Sequence, residues 1–196
     1  MADSSLVMKL REMTGAGILD AKKALDETGG DLEKAVELLR KKGAIKAAKK
    51  GERETAEGVV HAYVHANGKV GAMLELLCET DFVARNAQFQ ELAHDLAMHI
   101  AATNPLYIRP EDVSPEVLAK EREIWAAEFA GGEKPAAVVE KILEGKVQKY
   151  YSETCLLKQA FVKDEDITIE ELLQQAVAKL GENIQVKRFV RFALGE

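Results

Sequence analysis

A hairpin signal constrains this 196-residue chain more than any other feature. Two β-prone runs, Gly58–His65 and Lys69–Cys78, flank Ala66-Asn67-Gly68, and strands joined by so short a turn pair antiparallel. Parity then decides which side chains share a face. A two-residue loop pairs Val60, Ala62 and Val64 with Glu75, Met73 and Gly71, mixing a carboxylate into the apolar face. A three-residue loop pairs Val64 with Val70, Ala62 with Ala72 and Val60 with Leu74, which is apolar throughout. The pattern therefore predicts the three-residue loop, with Gly68 left-handed and His61, Tyr63 and His65 on the wetter face.

Helical patterns surround the hairpin. Leu6, Val7, Leu10 and Met13 are spaced for one helix behind a Ser4 or Ser5 cap, ended by Thr14-Gly15-Ala16-Gly17. Ile18, Leu19, Lys22, Ala24 and Leu25 make a second, stopped by Gly29-Gly30. Asp31 caps a third, which carries Leu32, Val36, Leu38 and Leu39 and ends at Gly43. Ala44–Arg53 reads as a helical connector rich in Ala and Lys. Beyond the hairpin, Phe89, Leu92, Ala93, Leu96 and Ile100 line a helix that ends near Asn104-Pro105. Ser114-Pro115-Glu116 starts another, running to about Ala130, where Gly131-Gly132 breaks the chain. Pro135 starts the next, with Gly145 as a kink. Ile167–Leu180 is helical and stopped by Gly181, and Asn183–Leu194 alternates as a last strand beside the hairpin. The expectation is an α+β chain: a three-helix domain at 1–43, a basic helical linker at 44–56, and a core at 57–196 built on a three-stranded antiparallel sheet packed with helices.

Charge is unevenly spread. Between Arg40 and Arg53 lie Arg40, Lys41, Lys42, Lys46, Lys49, Lys50 and Arg53 against one acid, Glu52; that window carries +6 in a chain of net charge −6, leaving −12 elsewhere. The window reads either as a solvated linker helix or as an arm towards an acidic partner or RNA. The acidic remainder argues against general nucleic-acid binding.

Most chemistries find no support. No apolar run approaches the roughly 18 residues of a membrane span, and the first 15 residues lack an export signal, so a cytoplasmic location is expected. Two cysteines, Cys78 and Cys155, make neither a disulfide framework nor a four-cysteine zinc site. There is no phosphate-binding loop, and Gly15-Ala16-Gly17 lies between helices rather than after a strand. His61 and His65 sit about 13 Å apart along a strand, and His94 and His99 lie on different faces of a helix, so no metal site is expected. Cys78 has no histidine placed beside it, which leaves a small hydrolase as a weak rival to a non-enzymatic protein without cofactor. The informative segment is Thr80–Asn86. Either Thr80 or Asp81 caps the following helix and Phe82 staples into the core, or the turn presents an aromatic wedge beside a carboxylate to a partner's pocket.

Three segments together resemble the translation elongation factor Ts family: Thr14-Gly15-Ala16-Gly17-Ile18-Leu19-Asp20-Ala21-Lys22-Lys23-Ala24-Leu25, then Glu79-Thr80-Asp81-Phe82-Val83-Ala84-Arg85-Asn86, then Lys179-Leu180-Gly181-Glu182-Asn183-Ile184. Gly145-Lys146, Tyr150 and Phe161-Val162-Lys163-Asp164 resemble a later family segment less tightly. At 196 residues the chain is similar to the short form, with no room for a second subdomain carrying a long helical hairpin. The resemblance implies nucleotide exchange on the GTPase elongation factor Tu. It further implies a ubiquitin-associated-like first domain docking through Gly17, Ile18, Leu19 and Lys22, and a turn of Thr80, Asp81, Phe82 and Val83 that dislodges the partner's Mg²⁺. It also implies a homodimer, which is expected to be non-covalent because residue 190 is Val190.

Overall fold

Asp3, rather than Ser4 or Ser5, opens the first helix: its carboxylate accepts the Ser5 N–H at 3.1 Å. The computed structural model describes residues 3–129 and 135–196, so the readings at Ala130 and Gly131-Gly132 lie outside the described residues. Helix α1 (Ser4–Thr14) ends where Gly15 turns left-handed at φ 65° and its N–H bonds the Arg11 carbonyl. Helix α2 (Ile18–Glu27) and helix α3 (Leu32–Lys50), capped by Asp31 at the Lys34 N–H, complete the set. Val7, Leu10, Ala21, Ala24, Leu25 and Ala35 form the core of the three. Helix α3 does not stop at Gly43. Without a left-handed backbone there, one glycine costs only about 1 kcal/mol, and the alanines and lysines that follow sustain the helix to Lys50.

Strand β1 (Glu57–Val64) and strand β2 (Val70–Cys78) form the hairpin, and strand β5 (Gln185–Ala193) pairs with β2, giving the order β1-β2-β5. The chain is therefore α+β. Helix α4 (Asp81–Ala84) and helix α5 (Ala87–Thr103) follow the hairpin. Helix α6 (Pro115–Ala127) and helix α7 (Ala136–Thr154) pack on each other through Arg122–Glu140, Glu128–Lys146 and the Trp125–Tyr150 ring contact, so this short chain does carry a helical hairpin of modest size. Helix α7 runs through Gly145. A second sheet, absent from the sequence reading, pairs strand β3 (Ala160–Phe161) with strand β4 (Asp164–Thr168). Helix α8 (Ile169–Leu180) ends at Gly181, φ 83°.

The described chain divides into two compact units. One takes in Met1–His61, Met73–Asp95 and Glu171–Phe189, with Leu74, Leu76, Phe89 and Val177 in its interior. The other takes in Ala62–Ala72, Leu96–Glu170 and Val190–Glu196, with Leu96, Ile100, Leu156 and Ile169 in its interior.

The hairpin corrects the register expectation. Its loop is four residues, Ala66–Lys69, closed by the His65 N–H on the Val70 carbonyl at 2.8 Å, with Gly68 left-handed at φ 66° as anticipated. A four-residue loop has the parity of a two-residue one. Val64 thus lies opposite Gly71, and the same register puts Val60 opposite Glu75. His61 and Tyr63 are half-buried, whereas Val60 and Val64 are 67% and 68% exposed. The more apolar side of β1 is thus its outward one, and Glu75 on β2 shares that side, so apolar content along β1 does not mark the inward face.

Gly58 shows why the hairpin tolerates no side chain there. At φ 152° its missing Cβ would fall on the Leu76 carbonyl oxygen and 2.8 Å from the Leu77 Cα, both backbone atoms that cannot step aside. Gly58→Ala is expected to cost at least about 2 kcal/mol, from overpacking and backbone strain together, seen as a lowered Tm in a thermal melt.

Candidate functional site

The candidate site begins where β2 runs out. Cys78 closes the strand inside the core, its thiol bonded to the Thr80 carbonyl at 3.2 Å. Burial pushes the Cys78 thiol up to about 11, so it is protonated at neutral pH and unsuited to act as a nucleophile. Thr80 is the cap of α4, accepting the Val83 N–H on its hydroxyl at 3.5 Å. Asp81 is not the cap; it pairs with Arg85 one turn on, at 3.1 Å. Asn86 accepts the Gln88 N–H at 2.8 Å and starts α5. Ala84 and Phe89 anchor the two helices in the core.

Between these anchors Phe82 points outward, 84% exposed. An aromatic side chain gains about 2–3 kcal/mol on full burial, so the fold forgoes that here. Among the two readings of Phe82, the core staple is therefore overturned. Thr80 is exposed, and Asp81 and Val83 are half-buried beside it.

Residues a hundred positions later hold this turn. Glu182 accepts the Glu79 and Thr80 N–H groups at 3.1 and 3.0 Å and the Thr80 hydroxyl at 2.6 Å. Glu79 in return accepts the Asn183 N–H at 2.6 Å and meets Arg53 at 3.4 Å. That N–H first, and Arg53 after it, hold the Glu79 carboxyl below its ordinary value. The buried Asn183 amide donates to the carbonyls of Gly51 and Arg53 at 3.3 and 2.9 Å. The turn and the Lys179–Ile184 segment thus form one hydrogen-bonded unit.

The N-terminal candidates sit at the start of α2. Gly17 is its N-cap residue, and Ile18 and Leu19 are 56% and 72% exposed, with Lys22 exposed one turn on. The basic window is largely engaged internally. Lys41 pairs with Glu37 and Lys42 with Glu27, each at 2.7 Å, Lys50 donates to the Gly181 carbonyl, and Arg53 meets Glu79.

A scan against protein-family models matches residues 23–196 to Elongation factor TS. The chain belongs to the elongation factor Ts family. Within this family of translation elongation factors, it is similar to the Elongation factor Ts of Fervidobacterium nodosum, 54% identical over 193 residues covering 98% of each chain. It is also similar to that of Thermotoga petrophila, 56% identical over 97% of this chain and 95% of the relative. The one from Carboxydothermus hydrogenoformans is 54% identical over 100% of this chain and 90% of the relative.

Sequence reasoning missed one histidine contact in this elongation factor Ts family chain. His61 Nε2 on β1 lies 3.3 Å from His94 Nδ1 on α5, and burial, then His94, pushes His61 below its ordinary value. Strand and helix periodicity, each taken alone, cannot show that pairing. Two imidazoles do not make a metal site, and among the described residues no group of three or more His, Cys, Asp or Glu side chains could hold an ion. Among the same residues no helix is long and apolar enough to cross a membrane.

Proposed function

We propose that this chain is a guanine nucleotide exchange factor that binds elongation factor Tu·GDP in the cytoplasm and promotes GDP release. The observation that carries the reading is Phe82, 84% exposed at the tip of a turn pinned from both sides, in a chain of the elongation factor Ts family. Phe82 enters the GTPase near its magnesium site, with Thr80, Asp81 and Val83 completing the contact and the Asp81 carboxylate competing for donors there. Loss of Mg²⁺ removes the main neutralisation of the diphosphate, and GDP leaves. Because coupling is reciprocal, a factor that weakens nucleotide binding is itself released when GTP rebinds. The chain makes and breaks no covalent bond in this scheme and needs no cofactor.

Functionally, residues 1–43 are the ubiquitin-associated-like docking domain, 44–56 the linker and 57–196 the partner-binding core. The exposed Ile18 and Leu19, with Gly17 and Lys22, supply an apolar contact on the GTPase. The internal pairing of the basic window supports a linker rather than an RNA-binding arm. The deciding experiment is release of labelled GDP from elongation factor Tu. Acceleration by catalytic amounts of this chain is expected, and an unchanged rate refutes the reading.

A non-covalent homodimer is the second element of the proposal. Val64, Val190, Phe192 and Leu194, the last two 71% and 76% exposed, share the outward side of the sheet in the second unit, and the Leu194 N–H on the Lys69 carbonyl fixes their register. Large exposed apolar side chains gathered on one face are the mark of an interface, and a second copy of this chain presents the same apolar side chains to it. Sedimentation is expected to give twice the chain mass for the native protein and the single-chain mass for Phe192→Asp.

A further inference from the structure

The reciprocal clasp beneath the turn does more than finish a strand. Glu182 presents its carboxylate to two consecutive backbone N–H groups and a hydroxyl, and Glu79 closes the loop onto the Asn183 N–H. These bonds act on the two residues that precede α4, so they set the direction in which α4 leaves the sheet. The Thr80 hydroxyl engages two partners at once, donating to Glu182 and accepting from Val83. Its bond to Glu182 is 2.6 Å, while its capping contact from Val83 is stretched to 3.5 Å, at the edge of hydrogen-bond range. The charged partner holds the threonine, and the four-residue helix follows. So short a helix has little stability of its own, and Phe82, 84% exposed, gains little from packing against the described residues.

We infer that Glu182 is a positioning residue for exchange: through Glu79 and Thr80 it aims the Phe82 ring, without itself meeting the partner. The inference rests on the proposed exchange reading and assigns a role to a residue that lies a hundred positions from the turn. The chemistry distinguishes its variants. Glu182→Ala leaves two N–H groups and a hydroxyl without their acceptor. Glu182→Gln keeps the arrangement, since its amide oxygen can accept both N–H groups and its NH₂ can donate to the Thr80 oxygen.

The test is labelled-GDP release from elongation factor Tu with the full chain and four variants. Glu182→Ala is expected to reduce the acceleration about tenfold, the range lost with a hydrogen bond to a charged group. Glu182→Gln should stay within about threefold of native. In a Phe82→Ala background, Glu182→Ala should change the rate less than about twofold, because an aimed ring that is absent cannot be misaimed. Amide exchange at Glu79 and Thr80 should quicken in Glu182→Ala and not in Glu182→Gln. Native acceleration by a folded Glu182→Ala, or losses that simply multiply in the double variant, overturn the inference. If Glu182→Ala does not fold, Thr80→Val takes its place, and native acceleration by that variant overturns it as well. An impaired Phe82→Ala beside a fully active Glu182→Ala sinks the positioning role alone, whereas an active Phe82→Ala sinks the exchange mechanism beneath it.

Discussion

Phe82→Ala is expected to remove most of the acceleration of GDP release while leaving the Tm within about 2 °C of native. The two readouts separate because the ring is 84% exposed. Truncating it opens no cavity, and exposed substitutions of this kind change stability by no more than about 0.5 kcal/mol. In a partner's pocket the same ring would act as a buried anchor, whose loss costs about 2 kcal/mol or more, equivalent to a rate lower by about thirtyfold. The backbone clasp involves Glu79, Thr80, Glu182 and Asn183 and no atom of the Phe82 ring, so the variant keeps its turn. A labelled-GDP release assay beside a thermal melt checks both halves. Undiminished exchange would refute the wedge, and a large fall in Tm would return Phe82 to a structural role.

The largest stability effect is expected at His99, buried completely in the second unit. Its Nε2 lies 3.0 Å from the Gln159 side-chain oxygen and its Nδ1 accepts the Val162 N–H at 3.4 Å. Both ring nitrogens are satisfied only in the neutral form with the proton on Nε2. His99→Ala removes the ring from a packed interior and leaves the Val162 N–H without an acceptor. The cost is expected to be about 3 kcal/mol, a Tm lower by about 6–12 °C for a chain of this size.

The same site makes stability depend on pH. Burial, the larger influence, pushes His99 below its ordinary value, so the unfolded chain takes up a proton at higher pH than the native one. The contribution is fully present above about pH 6.5, where both states are neutral. It is lost as the pH falls from there to the lowered native value, at up to about 1.4 kcal/mol per pH unit. His99→Gln has nothing to titrate at this position. Its stability gap from native should therefore narrow between pH 7 and pH 5 in urea titrations, and a constant gap would contradict the assignment.

Local features of the fold were legible because local chemistry sets them. Asp31 and Ser114 cap their helices, Gly15 and Gly181 take the left-handed stops, and the run from Asn183 ends in a strand. The failures have a common origin. Gly43 lacks the positive φ that would make it a stop, and a residue's identity does not reveal its backbone angle. The two-residue strand β3 is too short to show a period. The hairpin's inward face does not follow from apolar content, because β1 turns Val60 and Val64 outward on the side of Glu75 and half-buries His61 and Tyr63.

By itself, the sequence determined the α+β class, the chain order of the long helices and of β1, β2 and β5, and the family, because capping, periodicity and contiguous motifs are properties of neighbouring residues. The outward direction of Phe82, the inward direction of His61 and the bond between Glu182 and Thr80 were decided only in the tertiary structure. Each depends on which of two chemically plausible faces the rest of the chain covers, and that choice is a sum over contacts between residues far apart in sequence, which no local pattern encodes.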